Sequence, residues 1–367
     1  MLFRRYLTPF VLLISLLGCQ KKQNTLEGLV DASAHEDEFY ETQISFLDDI
    51  IAQKTDDASL YGKRGGVKVR KKDYVGALED FEQAIQLDST HGDYYFGIAT
   101  SHYFLGNTQD AVSNGKKAIA LGYRHPQLKT FIGSSYTDLS MYDSAIYFLK
   151  SSLEEIPQNS KTYRALGNTY ARMDNPQTAI LNYQKAIDLD PLDSISYAGI
   201  IEENIILNDL EKAIATYQEA KEMSLASPDM KYSYGIILSE TDQYDSAFVV
   251  FEEVLKEIPS HWKSSRQLGK LYRRRRQPLE ANKIFLEGLK YNPDTKELWY
   301  ELGLTNQYVL RNYAEARKNY EKALEIDPNY KDARLALINL KATLRKLYAP
   351  PAEEDLSNSG TEGESQS

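Results

Sequence analysis

An all-α protein of stacked antiparallel helix pairs is predicted by three features of this chain. Alanine recurs at Ala77, Ala111, Ala145, Ala179, Ala213, Ala247, Ala281 and Ala316, in steps of 34 residues and one final step of 35. A mostly small position follows seven residues later, at Ala84, Ala118, Ser152, Ala186, Ala220, Val254, Gly288 and Ala323. Proline ends the copies at Pro157, Pro191, Pro259, Pro293 and Pro328, where its missing N–H stops a helix. A period of this length holds two short helices and a turn, too little to bury its own apolar face, so the copies must stack into a solenoid.

The remaining positions justify the elements in order. With the recurring alanine as position 20, position 8 reads Gly65, Ala99, Gly133, Gly167, Ile201, Gly235, Gly269 and Gly303. Small residues belong where helix axes approach to about 8–10 Å. Bulky ones fill the space between, with Tyr61, Tyr95, Tyr163, Tyr197 and Trp299 at position 4 and Phe81, Tyr183, Tyr217, Phe251 and Phe285 at position 24. Most of the 27 tyrosines are thereby read as packing. Together these positions resemble the tetratricopeptide repeat (TPR) over residues 58–330, in eight copies, and the resemblance implies a right-handed α-solenoid, a superhelix of antiparallel helix pairs. Two departures predict weak interfaces: Ile201 at a small position, and one extra residue between Gly303 and Ala316, where a widened helix or turn is expected.

The ends have their own signatures. Residues 38–57 continue the register backwards, with Leu47 and Ile50 at positions 24 and 27, and are expected to form an N-terminal capping helix. Residues 331–348 read as an amphipathic C-terminal cap with a polar outer face. Residues 349–367 carry five acidic groups and no basic one, and are expected to be a disordered tail. Extended, they reach about 60 Å, far enough to compete for a basic groove.

The first residues read as an address. Arg4 and Arg5 precede an apolar run from Leu7 to Leu17, too short for a membrane span, which ends in Leu16-Leu17-Gly18-Cys19. This resembles a bacterial lipobox. The resemblance implies a signal peptide over 1–18, a lipidated Cys19, and, with Gln20 rather than Asp following, residence in the bacterial outer membrane. Residues 19–37 are expected to be a flexible polar tether. Cys19 is the only cysteine, so disulfides within the chain are excluded.

The charge of −10 argues against nucleic-acid binding. No P-loop, G-x-G-x-x-G, H-E-x-x-H or C-x-x-C is present, and the five histidines are scattered, so no enzymatic activity, cofactor or metal is expected.

Function is expected on the groove that, by family resemblance, positions 2, 5, 9, 12 and 13 of the first helices form. Repeat seven places Lys263, Arg266, Lys270, Arg273 and Arg274 there, and repeat four adds Lys161, Arg164, Asn168 and Arg172. Repeat five offers Ile195, Ala198, Glu202, Ile205 and Ile206, and repeat six Asp229, Tyr232, Ile236, Ser239 and Glu240, so basic and apolar zones are expected to alternate. Phe96, Tyr103 and Phe104 in repeat two and Tyr300 and Tyr308 in repeat eight make the ends aromatic. Arginine forks suit carboxylates, so the expected partners are envelope proteins or acidic peptide segments. A solvated basic face, neutralised by Asp229, Glu240 or Glu297, is the alternative origin of the stripe. Glycan binding, or an accessory role to an enzyme or transporter, is the alternative function. Arg164 and Asn168 match half of the family's carboxylate clamp, but Gly199, Asp229 and Ser233 stand where the other half is expected.

Overall fold

The computed structural model describes residues 26–348, with side chains from Asp37 onward. Among the described residues every regular element is helical and there is no strand. The chain divides into two compact units between Pro157 and Gln158.

The first unit contains α1 (Leu26–Ile51), α2 (Ala58–Arg70), α3 (Tyr74–Leu87), α4 (Gly92–Phe104), α5 (Thr108–Ala120), α6 (Leu128–Asp138) and α7 (Tyr142–Glu155). Helix α1 lies on α2, and then α2/α3, α4/α5 and α6/α7 form pairs that stack in chain order. The helix starts at Leu26, inside the stretch expected to be a tether, and ends at Ile51 rather than 57. Residues 26–37 are rich in Leu, Ala and acidic side chains and contain no proline, so nothing stops the capping helix from extending backwards.

The second unit contains α8 (Ser160–Arg172), α9 (Pro176–Leu189), α10 (Ser194–Ile206), α11 (Leu210–Glu222), α12 (Pro228–Glu240) and α13 (Tyr244–Glu257). It continues with α14 (Trp262–Arg274), α15 (Pro278–Tyr291), α16 (Lys296–Leu304), α17 (Tyr313–Ile326) and the closing α18 (Lys331–Leu347). Pairing again follows chain order from α8/α9 to α16/α17, with α18 on α17.

Local chemistry sets each boundary. Side-chain oxygens of Asp57, Asp73, Asn159, Asn175 and Ser227 accept hydrogen bonds from backbone N–H groups in the first turns of α2, α3, α8, α9 and α12. The turn inside each pair uses a left-handed residue at the same place: Lys72, Gly106, Ser140, Asp174, Asn208, Asp242, Arg276 and Arg311 all have φ between 53° and 78°. The recurring conformation closes the first helix and reverses the chain.

Close approach explains the small positions. A Cβ on Gly167 would lie 2.5 Å from the Tyr183 ring, and one on Gly199 would lie 2.6 Å from the other side of that ring. Tyr183 is therefore clamped between α8 and α10 by two glycines. Ile201, a departure from the small pattern, is fully buried with Tyr217 and Met230, and Tyr217 stacks on Tyr234 at 4.3 Å. That copy fills its core with a different arrangement.

The inserted residue of the last pair appears as a π-helical turn, Thr305–Val309, between α16 and α17. The Leu310 N–H reaches the Thr305 carbonyl at 3.0 Å, five residues back. The widened turn absorbs the extra residue and keeps Tyr320 over Gly303.

Candidate functional site

In the second unit α8, α9, α10, α12 and α14 contribute to one open groove of about 570 Å³. Its wall combines apolar and charged groups: Ile195 and Glu202 of α10, Asp229 of α12 and Lys263 of α14. Asp229 lies 3.4 Å from Nε2 of His261. The His261 Nδ1 accepts from the Ser264 N–H at 3.2 Å, so this ring caps α14 while facing Asp229. Burial lowers the His261 pKa and Asp229 opposes the shift. Glu202 and Lys263 have no ion-pair partner among the described residues. Burial pushes the Glu202 carboxyl upward, Asp229 adds to this, and Lys263 opposes it.

Glu202 and Asp229 thus stand where the sequence places them, on the groove faces of repeats five and six, and the zone between the basic stretches is acidic as well as apolar. Two carboxylates share its centre with Lys263, because Glu202 and Asp229 belong to the same first-helix faces as the apolar Ile195.

The basic stripe of α14 divides in three. Lys263 lies in the groove. Arg266 and Arg273 bind Glu301 of α16, with Arg266 Nε at 3.0 Å from Oε1 and Arg273 Nη2 at 2.5 Å from Oε2. The Glu301 side chain is almost wholly buried, so these arginines hold the helix pairs together and are not free to capture a ligand. Arg273 also reaches the Thr305 hydroxyl at 3.4 Å, tying the stripe to the π-helical turn. Lys270 stays exposed on this surface; the protein packed around its ammonium lowers its pKa, Glu301 opposes, and Arg266 and Arg273 reinforce the lowering.

Arg274 leaves the stripe. Its guanidinium lies 3.6 Å from the centre of the Tyr244 ring, beside Asp242 and Asp245 at the start of α13. One residue further along a helix turns by about 100°, which carries Arg274 away from the face that Arg273 occupies.

The repeat-four residues also separate. Arg164 donates to Asp193 at 2.7 Å, where the carboxylate is buried and also accepts from the Ser196 hydroxyl at 2.7 Å. Asn168 accepts from the Tyr183 hydroxyl at 2.8 Å at the groove wall. The half-clamp is thus occupied by the protein's own groups. Lys161 and Arg172 are exposed on the first and last turns of α8.

In the first unit the expected aromatics do come together. Phe96 and Tyr103, seven residues apart on α4, approach Phe131 of α6 with centroids at 6.2 and 5.1 Å. Phe104 is half-exposed and stacks on Tyr74 at 4.7 Å. In the second unit Tyr300 lies between Tyr320 and Tyr330, at 6.0 and 5.6 Å, whereas Tyr308 is exposed on the π-helical turn. Cys19, the signal peptide over 1–18 and the acidic tail over 349–367 lie outside the described residues.

Sequence reasoning missed Glu301 and Asp193. Glu301 had only a weak signal: four other copies hold a small residue at its position, Gly97, Ala165, Gly199 and Ser233, but three hold Lys63, Phe131 and Gln267, so the sequence does not mark the position as buried. Among the described residues no group of three or more His, Cys, Asp or Glu side chains is arranged for a metal ion, and no helix is long and apolar enough to cross a membrane.

The stacked antiparallel helix pairs have the fold of a tetratricopeptide-repeat α-solenoid. Residues 160–191 and 266–331 match tetratricopeptide repeat family models. The fold is similar to that of a tetratricopeptide repeat protein from Parabacteroides merdae, with a TM-score of 0.52 at 15% identity, over 68% of this chain and 98% of that one. Superkiller complex protein 3 of Mus musculus is 22% identical over 88% of this chain, which spans only 18% of that protein. Anaphase-promoting complex subunit 7 of Homo sapiens is 23% identical over 84% of this chain and 55% of its own length.

Proposed function

We propose that the chain is a non-enzymatic scaffold of the bacterial cell envelope, lipid-anchored through Cys19 in the outer membrane, that holds a protein segment in the groove of its second unit. The observation that carries the reading is the groove itself: an open surface that leaves Lys263 and Glu202 without an ion-pair partner among the described residues, beside an exposed isoleucine. Charged groups at a rim cost little while exposed and give register and specificity once a partner lies on them. Both relatives are named as members of multiprotein complexes, which agrees with a scaffold.

The mixed charge refines the partner. With Arg266 and Arg273 bound internally, the basic stripe of α14 offers a purely acidic segment only Lys263 and Lys270. A segment that carries an acidic residue for Lys263 and a basic one for Glu202 and Asp229 matches the groove better.

Affinity capture from detergent-solubilised envelopes tests the reading. Wild-type chain should retain a discrete protein that Lys263→Glu loses, while a glycan array stays blank. Glycan binding without protein capture would transfer the assignment to the carbohydrate reading. Cys19→Ala should release the chain from the membrane fraction; unchanged fractionation and mass would refute the anchor.

A further inference from the structure

The two terminal helices carry complementary unfinished faces, and we propose that copies of this chain associate head to tail, α18 of one copy packing against α1 of the next to complete one further helix pair. The register carries the argument. Within whole pairs, position 8 of the first helix lies under position 24 of the second, as in Gly65 with Phe81 and Gly303 with Tyr320. Position 23 also faces the first helix of its own pair, as Phe148 faces Tyr136 at 5.6 Å. Continuing the 34-residue spacing, among the described residues α1 is a second helix without its first, and α18 is a first helix without its second.

The orphaned positions are apolar and open. On α1 Phe46 falls at position 23 and is 64% exposed, with Phe39 two turns earlier 59% exposed. On α18 Ile338 falls at position 8 and is 56% exposed, with Leu335 one turn earlier 60% exposed. Leu335 and Ile338 interrupt the otherwise polar exposed face of this cap. Phe46 and Ile338 stand in the register where every internal pair buries its core, Phe39 and Leu335 extend the two apolar patches, and these are the surfaces a further helix would cover.

Charge selects a second copy as the occupant. Residues 37–51 contain five acidic side chains and no basic one, of which Asp48 and Glu41 pair with Arg64 and Lys71 of α2, whereas α18 contains five basic and one acidic. Internal pairs show where such charges meet: Tyr197 at position 4 donates to Glu219 at position 26 at 3.0 Å, and Lys129 at position 4 reaches Glu155 of its second helix at 2.7 Å. In the proposed junction position 4 is Arg334 and position 26 is Asp49 of the neighbouring copy. Both are exposed. The contact is heterologous, so each copy keeps one free end and the assembly grows as a filament unless an end is blocked.

Sedimentation velocity on the full chain in detergent solution tests this. Wild type should form dimers and longer species as its concentration rises through the micromolar range, and added salt should weaken them. Phe39→Lys with Phe46→Lys blocks one end; Leu335→Glu with Ile338→Glu blocks the other. Each variant alone should remain monomeric with unchanged helicity, with self-association weakened about tenfold or more. Mixed together, the two variants should form one-to-one dimers and nothing longer, because each retains one intact end. Arg334→Glu should weaken assembly and the added Asp49→Arg should restore it. A wild type that stays monomeric overturns the proposal. So does an end-blocked variant that associates as wild type does, or a mixture that fails to dimerise, which would mark a symmetric contact or an end reserved for another protein.

Discussion

Removing the Glu301 carboxylate should loosen the last helix pairs of the second unit more than any surface ion pair can. Its side chain is 2% exposed, and it accepts from Arg266 and Arg273, whose side chains are 32% and 18% exposed. Charge-assisted hydrogen bonds contribute about 1.5–3 kcal/mol each. The two guanidiniums are partly open, so water replaces some of what Glu301→Ala removes, and the net cost falls to about 2–3 kcal/mol. A solenoid opens locally, so the assay must be local as well. Hydrogen exchange across α14, α16 and the π-helical turn should accelerate roughly thirtyfold to a hundredfold, at about 1.4 kcal/mol per factor of ten. Asp245→Asn is the control: its pair with Arg275 at 2.6 Å is 94% exposed on the carboxylate side and should cost less than about 1 kcal/mol. If the two variants accelerate exchange equally, Glu301 is not the tie between these helices and the groove assignment of Arg266 and Arg273 regains its ground.

Further predictions follow the same geometry. Gly167→Ala forces a Cβ to 2.5 Å from the Tyr183 ring and should cost about 1–3 kcal/mol, whereas Gly66→Ala, with its nearest neighbour at 3.9 Å, should stabilise α2 by up to about 1 kcal/mol; paired thermal melts read the opposite signs. Glu203 is buried without an ion-pair partner among the described residues, and burial raises its pKa. A raised folded pKa favours the folded state at low pH and loses that contribution as pH climbs through the folded value, so Glu203→Gln should stabilise at neutral pH. The gain should vanish below the ordinary carboxyl value of 4.5, and urea titrations across pH check this. Lys263→Glu should change stability by less than about 0.5 kcal/mol while abolishing partner capture, because the side chain is exposed and without an ion-pair partner among the described residues; a large drop in melting temperature would show it to be structural.

Much of this molecule was legible before any coordinates. The alanine and glycine spacing located the helix pairs because small residues are required wherever axes approach, and the single inserted residue announced the π-helical turn. The site was less legible, for a physical reason. Positions along one helix predict which way a side chain points, but not which charge waits on the next helix. Arg266 and Arg273 therefore read as a free basic stripe until Glu301 was seen beneath them, and Arg164 read as half a clamp until Asp193 was found holding it. The buried pair with Glu301 gives charge reversal at Arg266 a structural cost. Lys263, which faces no such partner, is the one member of the stripe whose groove position follows both from sequence and from structure.

Site-specific photo-crosslinking in cells tests the central claim most directly. A photoreactive residue placed at Lys263 or Ile195, inside the groove, should yield one discrete protein adduct, and the same residue at Leu181, exposed on the second-helix surface of α9, should yield none. Adducts from Leu181 as readily as from the groove, or no protein adduct from either groove position, would contradict the account.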